Sequence, residues 1–118
     1  MSDMRIWHLK TCDTCRKAIK ALQAAGHDPR LIDVRADGVE AGALDRWIAA
    51  VGRDRLLNTR STTWRGLDEA DRAGVDDAKA VALMTAHPTL IKRPVIEANG
   101  TVYAGWTKDV QAALFKPG

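Results

Sequence analysis

Two cysteines three positions apart, Cys12 and Cys15, stand where one hydrophobic rhythm changes into another. Before them, Met4-Arg5-Ile6-Trp7-His8-Leu9 mixes apolar and polar residues in the alternation of a strand. After them, Ala18, Ile19, Leu22 and Ala25 recur at threes and fours, which predicts a helix from Cys15 to Ala25 stopped by Gly26. Pro29 to Val34, with Leu31, Ile32 and Val34, reads as a second short strand. A strand, a helix of this length and a strand favour a parallel pair joined by a crossover. A Cys-x-x-Cys at such a strand-to-helix junction therefore limits the chain to a few α/β folds.

The rest of the chain extends that order. Asp37-Gly38 is a break, and Ala43, Leu44, Trp47, Ile48 and Val51 mark another helix ended by Gly52. Residues 53–87 predict helical pieces: a turn at Asp54–Leu57, a loop around Thr59–Thr63, and two stretches divided near Gly74. Asp76 is a candidate cap for the last of these, whose apolar residues are Ala80, Val81, Leu83 and Met84. His87-Pro88 is expected to end that helix. Pro94-Val95-Ile96 and Val102-Tyr103 flank Asn99-Gly100, a strong hairpin signal, and a final helix runs from about Thr107 to Phe115. No repeat or low-complexity tract interrupts the order of β-α-β, helices, then β-β-α. The expected architecture is α/β and thioredoxin-like with a mixed sheet, although order alone leaves other α/β folds open. It is read as one domain over 1–118 with a helical insertion at about 40–87.

The cysteine pair is read as chemistry rather than as a staple. A disulfide closing so short a loop constrains an unfolded chain very little. Structural zinc would need two more ligands, and His8, His27 and His87 have no ligand spacing among themselves, so no metal site is expected. The start of the chain shows no apolar leader, and the Ala-rich stretch 78–86 is too short and too charged to span a bilayer. These features predict a cytoplasmic protein without membrane attachment, where paired thiols are catalytic or redox-sensing. The net charge of +3 comes from bases scattered among acids, which gives no case for a nucleic-acid partner.

Reactivity belongs to the thiolate, and a free cysteine with pKa of about 8.5 supplies little of it at neutral pH. Cys12 meets the N–H groups and dipole at a helix start, which favour the anion. Arg16 and Lys17 add positive charge and Asp13 opposes it. Cys15 lies one turn on, in reach to resolve a mixed disulfide. Cys12 and Cys15 are thus the candidate catalytic pair. His8 could bias the thiolate or bind substrate, or could pack as part of its strand. Trp64 and Trp106 could line a groove, or pack as half-buried aromatics.

The cysteine loop at 8–16, Leu56-Leu57-Asn58-Thr59-Arg60, Thr62-Thr63-Trp64-Arg65, His87-Pro88 and Ile91-Lys92-Arg93-Pro94 together resemble the ArsC-like arsenate reductase family. That family also holds Spx-type regulators and YffB-type thiol reductases, and residues 57–65 look most like the YffB-type branch. The resemblance implies a glutathione-dependent thiol reductase with Cys12 as its nucleophile. It implies a cis-proline at Pro94 facing the thiol, and Arg93 as an arginine that holds glutathione or an oxyanion. Arg60 is a second such candidate, although the family position falls two residues earlier, on Asn58.

Two departures bear on the substrate. Arsenate-reducing members carry a third arginine after the last strand, where this chain reads Gly105-Trp106-Thr107-Lys108. They also work with one cysteine at the loop, whereas Cys15 makes a dithiol here. The expected function is a thiol–disulfide oxidoreductase that is monomeric, uses glutathione as co-substrate, holds no tightly bound cofactor, and has glutaredoxin as a possible partner. The alternatives are a glutathione- or glutaredoxin-dependent arsenate reductase and an Spx-like redox sensor that binds RNA polymerase.

Overall fold

The computed structural model describes residues 4–115. In chain order the elements are β1 (Met4–His8), α1 (Asp13–Ala24), β2 (Arg30–Asp33), α2 (Ala41–Val51), α3 (Arg53–Leu56), α4 (Thr62–Arg65), α5 (Glu69–Arg72) and α6 (Asp77–Ala86). A 3-10 turn at Pro88–Leu90 leads to β3 (Val95–Ala98), β4 (Thr101–Ala104) and α7 (Lys108–Phe115). The chain divides into two compact units. One comprises the residues up to Asp33 and those from Arg93 onward; the other is Val34–Lys92.

The first unit holds the sheet, ordered β2-β1-β3-β4. β1 pairs parallel with β2 and antiparallel with β3, which pairs antiparallel with β4. This is the mixed sheet of a thioredoxin-like fold, as the order of elements predicts. Ile6, Ile96 and Tyr103 are in register across three strands. Ile6 and Ile96 are fully buried with Leu22 of α1, and Ile19, Tyr103, Trp106 and Leu114 pack around them. Asn99 and Gly100 both take positive φ, 52° and 83°, the left-handed pair that a two-residue hairpin turn requires.

α1 starts at Asp13, two residues before the apolar repeat becomes visible. Its first two residues, Asp13 and Thr14, face solvent and carry no apolar signal, and the predicted start at Cys15 is corrected accordingly. The helix ends with His27 N–H on the Leu22 carbonyl and Gly26 N–H on that of Gln23, with Gly26 at φ 94°. Only glycine enters that left-handed position without strain. Both strands predicted around it are shorter than read, β1 ending at His8 and β2 covering only Arg30–Asp33.

In the second unit α2 packs on α6, with Leu44, Trp47, Leu56, Met84, Leu90 and Ile91 fully buried. The segment predicted as a loop to Thr63 turns helical at Thr62, because the Ser61 hydroxyl accepts from Trp64 N–H and caps α4. Asp76 caps α6 as the sequence suggests, its carboxylate accepting from Lys79 N–H at 2.8 Å. Lys79 Nζ then donates to the carbonyls of Ala70 and Ala73 at 2.7 and 2.5 Å, tying down the exposed turn around α5. Among the described residues no helix is long and apolar enough to cross a membrane.

These contacts rank two substitutions. Leu22→Ala should cost about 2–5 kcal/mol by opening a cavity under α1. Asp76→Ala should cost about 1 kcal/mol by removing one cap. Urea denaturation of both variants checks the order, and an equal loss for the two would contradict this packing.

Candidate active site

The site is built at the N-terminus of α1. Cys12 is the residue before the helix, with an extended backbone (φ −90°, ψ 113°) and no capping hydrogen bond from its side chain. Its N–H donates to the Leu9 carbonyl at 3.0 Å, while its carbonyl accepts the Arg16 N–H at 3.1 Å. The backbone is therefore held on both sides of the sulfur. Cys12 is half-buried, Cys15 has no exposed surface, and both are free thiols. Arg16 is ion-paired with Asp13 on the exposed first turn, so much of its charge is already balanced locally.

Opposed forces act on the Cys12 thiol. Burial favours the neutral form. The Cys15 N–H and thiol and the Arg93 side chain beside the sulfur favour the anion, and the Arg93 charge adds to them. These neighbours win, and the Cys12 pKa lies below that of an ordinary thiol. For Cys15 burial wins. Deeper in the core and beside the Cys12 sulfur, its thiol is pushed up to about 12 despite the Leu9 N–H and Arg93.

Arg93 and Pro94 come from the segment entering β3. The Arg93–Pro94 bond is cis, as the resemblance implies. Pro94 is fully buried and its carbonyl accepts the Gly105 N–H at 2.8 Å. Arg93 is half-buried. The fold thus brings together Cys12, Cys15 and Arg93. His8 is half-buried at the end of β1, in register with Asp33.

Arg60 belongs to the other unit. It is exposed in a turn where its N–H donates to the Asn58 side chain at 3.1 Å. Asn58 N–H donates to the Leu90 carbonyl and Lys92 N–H to that of Leu56, each at 2.7 Å, and Leu57 bridges to Ile91. This short ladder frames a pocket of about 360 Å³ lined by Asp54, Leu57, Asn58, Thr59, Arg60 and Lys92. Lys92 was not singled out from sequence, and its place directly before Arg93 is the signal that could have found it. Trp64 is half-buried in this unit. Trp106 packs edge-on against Phe115 with ring centroids 5.8 Å apart. Among the described residues no group of three or more His, Cys, Asp or Glu is placed to hold a metal ion.

The pattern that defines the ArsC family matches residues 7–114. The chain belongs to the ArsC family. An uncharacterized protein from Haemophilus influenzae is 39% identical over 110 residues, covering 92% of this chain and 96% of that protein. The solved structure of a protein named YFFB (PA3664) superposes with a TM-score of 0.90 at 39% identity, covering 95% of this chain and 98% of that one. A protein named arsenate reductase, from Acidiphilium multivorum, is 24% identical over 101 residues, covering 81% of this chain and 69% of that protein.

The two thiols of this ArsC-family chain should separate by pH. Alkylation follows the thiolate, so the Cys12 rate should rise through a midpoint below the free-thiol value of about 8.5. Cys15, with its pKa near 12, should stay unlabelled in the folded protein at pH 9. Peptide mapping after iodoacetamide checks this, and labelling of Cys15 ahead of Cys12 would reverse the two roles.

Proposed function

We propose that this chain catalyses thiol–disulfide exchange with glutathione as its thiol co-substrate and Cys12 as its nucleophile. The reading is carried by the Cys12 sulfur, half-buried at the start of α1 with its pKa lowered by the neighbouring Cys15 and Arg93. A thiolate attacks disulfides, and fixed donors on the sulfur stabilise it both as nucleophile and later as leaving group. Cys15 or a second glutathione then discharges the mixed disulfide. Arg93 holds an anionic group of the partner as well as the sulfur, because a guanidinium presents several donors in one plane. Arg60, with Lys92 in the same pocket, is the second candidate for holding a carboxylate. Pro94 and His8 complete the set of candidate binding residues. The chain acts as a cytoplasmic monomer with no resident cofactor, and glutaredoxin is its possible reductant partner.

Arsenate reduction is the second reading, favoured by the relative named for that activity. The segment after β4 argues against it. Trp106 is packed against Phe115, and the Thr107 hydroxyl accepts Val110 N–H at 3.2 Å to cap α7. Neither side chain supplies positive charge to an oxyanion, and Lys108 offers only a flexible point charge.

Three outcomes test this. Cys12→Ser should abolish reduction of a glutathione mixed disulfide. Arg93→Lys keeps the charge but loses the planar donors, and should raise KM for glutathione roughly tenfold, the loss of one charge-assisted hydrogen bond. Arsenate turnover with glutathione should be weaker than disulfide exchange by about a hundredfold or more, the usual cost of one missing oxyanion donor. Rapid arsenate turnover dependent on Cys12 would put the second reading first.

A further inference from the structure

Bases and acids scattered along the sequence cancel one another outside one segment. Residues 10–20 hold Lys10, Arg16, Lys17 and Lys20 against Asp13 alone, while the other residues hold fourteen bases and fourteen acids. The whole net charge of +3 therefore belongs to the stretch that carries Cys12. In the fold this is a surface feature: all five charged residues are exposed, and α1 turns Cys15, Ala18 and Leu22 inward instead. Arg16 and Lys17 stand four and three positions before Lys20, so they share one patch of the helix surface. Arg16 is ion-paired with Asp13, whereas Lys10, Lys17 and Lys20 form no ion pair with any described residue. The helix gains nothing from this arrangement, because cations near its start oppose its dipole and like charges three or four apart repel. Exposed cations gathered beside a nucleophile at the expense of the helix point to an anionic partner. We propose that the solvent face of α1, with Lys10, Lys17 and Lys20, docks acidic polypeptides whose cysteine carries the disulfide that Cys12 reduces.

This rests on the exchange activity proposed above and names its substrate class: a polypeptide cysteine held as a glutathione mixed disulfide, with Asp or Glu close to it in sequence. The Cys12 thiolate attacks the glutathione sulfur of that disulfide. A Cys12–glutathione bond forms, and the polypeptide thiolate leaves and takes a proton from water. Over the full cycle one glutathione supplies the two electrons, the polypeptide regains its thiol, and oxidised glutathione departs. The spacing sets where the acidic residues must lie. At a rise of about 1.5 Å per residue, Lys17 and Lys20 stand roughly 8 and 12 Å along the chain axis from Cys12. An extended polypeptide covers that span in about two to four residues. Acidic side chains two to four positions from the partner's cysteine thus reach the lysines when its sulfur meets Cys12. A nucleic acid is also anionic, but it brings no sulfur to a stripe that begins at a thiol.

The test compares two synthetic peptides, each with one cysteine carried as a glutathione mixed disulfide. In one, Glu occupies the second to fourth positions on both sides of the cysteine; in the other, Gln does. Wild-type protein with glutathione should reduce the acidic peptide with a kcat/KM about tenfold higher at low salt. That advantage should shrink as ionic strength rises. The triple variant Lys10→Gln/Lys17→Gln/Lys20→Gln should lose the preference while keeping the wild-type turnover of the neutral peptide and the wild-type iodoacetamide midpoint of Cys12. Equal turnover of the two peptides by wild type, or a preference that survives in the triple variant, would overturn the proposal. A raised Cys12 midpoint with equal losses on both peptides would assign the lysines to the thiolate and overturn it as well. Docking is read separately by fluorescence anisotropy, with the labelled acidic peptide carrying Ser in place of its cysteine. Its affinity should fall about tenfold in the triple variant. Tighter binding of a single-stranded oligonucleotide of equal charge would give the stripe to nucleic acid and overturn the proposal. If wild type reduces neither peptide yet binds the acidic one through the lysines, the exchange reading falls and the docking surface stands.

Discussion

Helix α1 is seated through one narrow face. Cys15, Ala18 and Leu22 follow at three and four positions, and none keeps any exposed surface. Turning the helix about its axis would bring this stripe into water, at about 25 cal/mol for each Å² of apolar area. Leu22 is locked among Ile6, Ile96 and Ala98 of the sheet, which also fixes the helix along its length. With the helix set in this way, Cys12, the residue before it, is held beside Cys15 and Arg93, and a structural constraint becomes a chemical one.

The same two influences act on both thiols with opposite results. Burial alone would keep each neutral. Cys12 is only half-buried and has the Cys15 N–H and thiol and the Arg93 guanidinium beside it, so its anion is favoured. Cys15 is sealed, and a neighbouring sulfur with anionic character makes a second anion costly. A dithiol so arranged is asymmetric before any substrate arrives. The asymmetry follows from one helical turn of difference in depth.

Much of this could be read from the residues, and the limits have physical causes. The hairpin was legible because Asn99-Gly100 suits a turn needing two left-handed residues, and few other dipeptides do. The strand-to-helix junction was legible through the change of apolar period around Cys12, although the true start of α1 was hidden because Asp13 and Thr14 face solvent. The pieces α3, α4 and α5 left only a faint signal, since four-residue helices have no periodicity to show. Their ends depend on single groups such as the Ser61 hydroxyl and Lys79 Nζ. Cys12, Cys15 and Arg93 could each be named from sequence, but their grouping around one sulfur needed the fold. The pocket beside Arg60 was less accessible still, because Lys92 reaches it through backbone pairing of residues more than thirty positions apart.

The discontinuity of the sheet-bearing unit also has a temporal side. β1, α1 and β2 leave the ribosome before the helical segment, whereas β3 and β4 follow only after all of it. A nascent chain that has emerged as far as Lys92 thus carries both cysteines but lacks Arg93 and the strand that Ile6 needs beside it. In that interval Cys12 has neither the guanidinium nor a completed core to hold its helix. The sulfur acquires its full reactivity late in the birth of the molecule, and a half-made protein presents the cell with a more ordinary thiol.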